Sequence, residues 1–154
     1  MTDIVEITDC GDDVISLWRQ AFGDSREDIL FFLNKCKNKS CLCLTAEKKL
    51  LSMLFLVDCT FNGKSYKYIY AACTENAAKK QGCMSSLLKY AGQAYGRLIL
   101  IPANEQLVKY YLKRNFNHKA DVKNILFNEC SEIKEYLTQG CSLEQPFALA
   151  NTGE

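Results

Sequence analysis

Residues 79–88, KKQGCMSSLL, and residues 100–116, LIPANEQLVKYYLKRNF, decide how this chain folds. In the first stretch Gly82 stands just before Met84, Leu87, Leu88 and Ala91, whose i, i+3, i+4, i+7 spacing predicts one apolar helix face ending near Gly96. A glycine turn that opens a helix leaves several backbone N–H groups without intrahelical acceptors at the positive end of the helix dipole. Such an end is a ready anion site. In the second stretch a short apolar strand breaks at Pro102. Asn104 and Tyr111 then follow seven residues apart, about two turns on one face of a helix over 104–114, and Phe116 closes the segment.

Upstream, CLCLTA, LLSMLFLVDCTF and KSYKYIYAAC read as strands, separated by the polar Glu47-Lys48-Lys49 and by Asn62-Gly63. Asn-Gly between two such runs is a strong hairpin signal, because a two-residue turn of type I′ requires φ > 0 at both positions. Three antiparallel strands follow. The middle one is almost wholly apolar, which predicts burial on both faces, and the next carries Tyr66, Tyr68 and Tyr70 as a stripe on one face. The order strand, helix, strand over 64–73, 84–95 and 97–101 is a crossover unit, so its two strands are expected to run parallel in a mixed sheet. Before the sheet, Ile4–Thr8 reads as a first strand. Asp12 or Asp13 then caps a helix with Val14, Leu17, Trp18 and Ala21 on one stripe, Gly23 ends it, and Ser25 starts a second helix bearing Ile29, Phe32, Leu33 and Cys36. After the second motif come a strand over 120–127, a short helix in SEIKEYLT and a polar tail around Pro146. A single domain is expected, with its core over 4–127 and a C-terminal extension over 128–154.

The bulk properties narrow the function. With 154 residues and 48% hydrophobic residues the chain can bury a sizeable core. A net charge of +1 and the absence of a Lys/Arg block argue against nucleic acid as a partner. MTDIVEITDCGDD has neither a basic leader nor an apolar core, and no apolar run approaches membrane-spanning length, so a cytoplasmic protein with no membrane partner is expected. Nine scattered cysteines fit buried free thiols rather than a disulfide framework. Cys41 and Cys43 share one strand face, but no second pair completes a zinc site, and no metal is expected.

The two motifs, in this order, resemble the GCN5-related N-acetyltransferase (GNAT) family over about Ile4 to Phe127. That resemblance implies an α/β (α+β) fold, a mixed, mostly antiparallel sheet of six to seven strands with helices on both faces. It also implies acetyl-CoA (coenzyme A) as cofactor and an amine, of a small molecule or a protein, as acceptor. Residues 79–84 match the family's R/Q-x-x-G-x-G/A turn in part: Lys79 stands for Arg or Gln, Lys80 for a common second Gly, then Gln81, Gly82, Cys83, and Met84 for the last small residue. The amides from Lys79 to Ser85 are the implied pyrophosphate cradle. Asn104, Tyr111 and Phe116 fit N-x-x-x-x-x-x-Y-x-x-x-x-F, which implies that Asn104 contacts pantetheine and Tyr111 protonates the leaving thiolate. By the same likeness Ala72, Cys73 and Thr74, where the fourth and fifth strands part, supply backbone to pantetheine and to the thioester oxygen. Glu75 is the candidate base. The region of Trp18, Phe22, Phe31 and Phe32 corresponds to a wall of the acceptor site in such enzymes, but plain core packing is the expectation for each of these aromatics.

A narrower likeness joins LWRQAFGDSREDILFFL and PANEQLVKYYLKRNF to the N-terminal acetyltransferase domain of the enhanced intracellular survival type. Those relatives carry additional domains and a C-terminal carboxylate that serves their mechanism, and that part of their chemistry is not expected to transfer to this sequence. The other reading is a non-catalytic acyl-CoA-binding or interaction domain, suggested by Lys80, Met84 and the unmarked base. The sequence allows a monomer or a homodimer.

Overall fold

The two hairpin turns set the frame of the sheet. The computed structural model describes residues 1–154. In it β2 (Lys39–Ala46), β3 (Lys49–Phe61) and β4 (Lys64–Thr74) form an antiparallel meander. Both turns put their central residues in the left-handed region: Glu47 and Lys48 at φ 51° and 66°, Asn62 and Gly63 at 52° and 71°. These are the paired positive values that a tight hairpin needs. Ser52 through Val57 in β3 are all buried, as the unbroken apolar run predicts.

Eight strands make the sheet, in the order β1-β2-β3-β4-β5-β8-β6, with β7 added to β3 beyond the reach of β2. β1 (Thr2–Ile7) pairs with β2, and β5 (Leu98–Leu100) runs parallel to β4, as the crossover requires. All other pairings are antiparallel. Two expectations need correction. The strand expected over 120–127 is two strands, β6 (His118–Ala120) and β7 (Leu126–Phe127), split by a short helical turn at Val122–Asn124 and paired to different neighbours. The division into a core ending at 127 and an extension from 128 does not hold either. β8 (Ala148–Asn151) lies between β5 and β6, with Ala148, Leu149 and Ala150 buried, so the sheet is completed from within residues 128–154.

Helices cover both faces. On one, α1 (Asp12–Phe22), α2 (Arg26–Lys35) and α5 (Ser131–Thr138) bury Trp18, Phe32, Ile133 and Leu137 with Phe55 and Tyr68. On the other, α3 (Cys83–Tyr95) and α4 (Glu105–Leu112) bury Leu87, Tyr111 and Phe116 with Leu54 and Leu56. Ser25 caps α2 by accepting from the Asp28 N–H at 3.1 Å, and Gly23 ends α1 in the left-handed conformation. The cap of α1 is Gly11, not Asp12 or Asp13, and Ala21 faces solvent. Glu129 ties the segment before α5 back to the α2–β2 turn: its carboxylate accepts from the Lys37 and Asn38 amides at 2.8 and 2.9 Å. No helix is long and apolar enough to cross a membrane.

Candidate active site

β4 and β5 stay paired only at Lys67–Leu98 and Tyr68–Ile99 and then part. In the same stretch β4 carries a bulge. Phe55 faces Tyr70 and Met53 faces Cys73, so Ala71 and Ala72 both stand opposite Leu54, with Ala71 held at φ +52°. A left-handed alanine is strained, and such strain persists where the surroundings dictate it. Beyond the bulge Ser52, the buried polar side chain of the core, fixes the strand end by donating to the Cys73 carbonyl at 3.0 Å and bonding the Thr74 hydroxyl at 2.9 Å.

A cleft of about 580 Å³ opens at this divergence. Ala71 and Ala72 line it from β4, Ile101 and Ala103 from the end of β5, and Leu107 and Tyr111 from α4. Trp18, Phe22 and Asp24 reach it from α1 and its C-terminal turn. Because Tyr111 belongs to the core on one face of the sheet and Trp18 to the core on the other, the cleft runs through the sheet.

The Tyr111 side chain is almost wholly buried, and burial pushes its phenol well above the ordinary tyrosine value. Its hydroxyl has no hydrogen-bond partner in the protein and is not sealed from solvent, and Tyr111 is among the residues that line the cleft. Tyr110, one residue earlier, turns to α3 instead: the Arg114 guanidinium stacks 3.5 Å above its ring and donates to the Ser85 hydroxyl at 2.9 and 3.0 Å. Arg114 carried no signal in the sequence, and it ties α4 to the first turn of α3.

The turn before α3 leaves its backbone amides unpaired. Gly82 caps the helix at φ 80°, and Lys80 is left-handed at φ 66°, taking the conformation that a glycine would take there without strain. The first backbone acceptor bond of the helix is from Ser86 N–H to Gly82 O at 3.0 Å, and none of the amides from Lys80 to Ser85 has an acceptor within the protein. Lys79 lies close enough to Cys73 to oppose the effect of burial on that thiol, which is still pushed up to about 12.

Asn104, Glu75, Cys73 and Thr74 fall outside the cleft. Asn104 caps α4, its Oδ1 accepting from the Leu107 N–H at 2.9 Å. Glu75 caps the helical turn at Asn76–Ala78, one carboxylate oxygen accepting from the Ala77 N–H at 3.0 Å. Cys73 and Thr74 follow the bulge in regular register with β3 and do not line the cleft. Trp18 and Phe22 do, whereas Phe31 and Phe32 pack elsewhere. Two contributors carry no signal in the sequence: Asp24, and the segment Gln139-Gly140-Cys141 after α5, where the Cys141 thiol donates to the Pro102 carbonyl at 3.2 Å.

No family profile matches the chain, and no curated protein matches its sequence. Solved structures do match. N-acetylglutamate synthase from Neisseria gonorrhoeae, complexed with coenzyme A and N-acetyl-glutamate, superposes with a TM-score of 0.64 at 18% identity over 98% of this chain. This chain spans 35% of that one, about a third of its length. A GNAT family acetyltransferase from Elizabethkingia anophelis with acetyl-CoA bound gives 0.61 at 15% identity, over 97% of this chain and 96% of that one. An aminoglycoside acetyltransferase from an uncultured soil metagenomic sample, in complex with trehalose, gives 0.55 at 16% identity, over 73% and 84%. The fold is therefore that of the acyl-transferring mixed-sheet proteins. More narrowly, it is the fold of the GCN5-related N-acetyltransferases.

Proposed function

We propose that the protein is an acetyl-CoA-dependent N-acetyltransferase that works by direct attack of an amine on the thioester. The observation that carries this reading is Tyr111, whose hydroxyl has no partner in the protein and which lines a cleft at the parting of β4 and β5. The free amides from Lys80 to Ser85 would take the pyrophosphate, with Lys79 and Lys80 adding positive charge. Ala72, Cys73 and Thr74 are the proposed backbone partners of pantetheine and of the thioester oxygen, and Asn104 the partner of the pantetheine end. In the reaction the amine nitrogen forms a bond to the acetyl carbon and the carbon–sulfur bond breaks. The thiolate takes the Tyr111 proton. The proton lost by the amine leaves through water to Glu75, whose carboxylate lies off the cleft. Coenzyme A and acetyl-CoA in the gonococcal and Elizabethkingia structures support the cofactor assignment, and the kinship to the enhanced intracellular survival type stays a proposal within it.

A cytoplasmic location also remains part of this reading. Calorimetric titration with acetyl-CoA, alongside dephospho-CoA, tests it. Micromolar binding by both is expected, because the cradle engages the pyrophosphate; absence of binding by folded protein overturns the reading.

A further inference from the structure

The charge pattern of the cleft says what kind of acceptor it takes. Asp24 is the single charged side chain among the residues lining it; no Lys, Arg or Glu reaches it. An amino-acid acceptor brings a carboxylate that needs a cation, and the cleft offers none. A polycationic acceptor needs several acids, and there is one.

Asp24 is held ready. Its Oδ2 accepts from the Trp18 indole N–H at 2.8 Å, and its Oδ1 has no partner in the protein. Trp18 itself meets Tyr70 edge-on, ring centroids 5.8 Å apart, and packs at a tilt against Phe32 and Phe55 at 5.4 Å, so the carboxylate hangs from a packed wall. Beside it Phe22 is 47% exposed at the cleft, an aromatic face open to a hydrocarbon chain or a cation. On its outer side Asp24 also borders a shallow groove with Arg19 and Arg26; Arg26 is paired with Asp12 at 3.1 Å, and neither arginine pairs with Asp24.

Asp24 and Tyr111 approach the cleft from opposite faces of the sheet, and most of the rest of its lining is apolar, including Ile69, Ala71, Ala72, Leu100 and Ile101. A cation held at Asp24 is therefore not the nitrogen that reacts beside Tyr111. We infer that the acceptor is a diamine-type molecule with a hydrocarbon spacer, one ammonium fixed by Asp24 at the Phe22 rim and the other nitrogen delivered as free amine to the parting of β4 and β5. This rests on the acetyltransferase reading for the transfer step, but the recognition half stands on the cleft alone.

The two halves separate in one experiment. Calorimetry with diaminopentane, pentanol and glutamate as probes, without cofactor, is run on the native protein and on Asp24→Asn, with a thermal melt to show that the variant is folded. Diaminopentane should bind best, and Asp24→Asn should weaken it about tenfold while leaving pentanol, which carries no ammonium, unchanged. Equal binding of diaminopentane and pentanol, binding indifferent to Asp24, or a preference for glutamate each overturns the inference. Adding acetyl-CoA then reads transfer. A raised KM with little change in kcat for diaminopentane in Asp24→Asn supports a positioning role, whereas a loss confined to kcat overturns it. Asp24-dependent diamine binding with no acetyl transfer leaves the recognition half standing and sinks the enzyme reading.

Discussion

The ring of Phe116 meets the ring of Tyr111 at 5.5 Å between centroids and an interplanar angle of 70°, and the Phe116 N–H donates to the Tyr111 carbonyl at 3.2 Å. The Arg114 N–H shares that carbonyl at 2.9 Å, and Asn115 between them is left-handed at φ 70°. This is a helix end closed by an αL residue, with the following hydrophobic side chain folded back on the last turn. The five-residue interval from tyrosine to phenylalanine is thus the interval at which the chain can return to brace the ring that faces the cleft.

Tyr111→Phe removes only a hydroxyl that has no protein partner, so folding stability should change little. Turnover should fall about 100-fold if the hydroxyl is the general acid, with the acetyl-CoA dissociation constant unchanged. Steady-state kinetics beside a calorimetric titration decide it. Unchanged turnover would remove Tyr111 from the mechanism.

The cradle gives a paired prediction. Gly82 sits at φ 80° with open space where a Cβ would go, so Gly82→Ala suffers from conformation alone and should destabilise the fold by about 1 to 2 kcal/mol while weakening acetyl-CoA. Lys80→Gly relieves a left-handed lysine, worth about 1 kcal/mol, but loosens the unfolded chain by a comparable amount. Its melting temperature should stay within a few degrees of the native value. A large loss on Lys80→Gly would mean that the lysine side chain, not its backbone, holds the turn.

Leu149 is 2% exposed in the strand between β5 and β6. Leu149→Ala should cost about 2 to 5 kcal/mol, the range for a buried leucine. Urea unfolding measures this, and a loss below about 1 kcal/mol would show that β8 contributes little to the core.

Stability should decline on the alkaline side. Burial raises the thiols of Cys36, Cys59 and Cys73 from the ordinary 9.0 to about 12, against the effect of Lys79 at Cys73 and with help from Glu129 at Cys36 and Asp58 at Cys59. Below pH 9 both states hold these protons and the contribution is complete; between 9 and about 12 the unfolded chain loses protons first, so it is favoured. Tyr68, Tyr70 and Tyr111, all raised by burial, extend the loss above pH 10. Urea midpoints under reducing conditions should fall between about pH 8 and pH 10.5. A flat profile would contradict the burial of these groups.

What was legible in the sequence was what rests on local chemistry. Asn62-Gly63, Gly23, Ser25 and Gly82 each demand a particular backbone, and each has it in the structure. The parallel β4–β5 pair followed from the crossover between them. The apolar run Phe147–Ala150 was visible but too short, after Pro146, to announce a strand, since only its pairing with Leu98–Leu100 makes it one. In the site, Tyr111 was marked by its spacing to Asn104 and Phe116. Asp24 was not, because its importance comes from being the lone charge in a cavity whose walls are drawn from five separated segments, and no linear spacing encodes that.

Leu98 of β5 pairs with Asn151, so the edge of β5 away from β4 stays open until β8 has left the ribosome. Its other edge finds β4 much earlier. During synthesis the protein therefore passes through a form in which the hairpins are made but an unpaired strand edge and an unlidded apolar cleft are exposed, and association between nascent chains at that edge is the hazard that this topology carries.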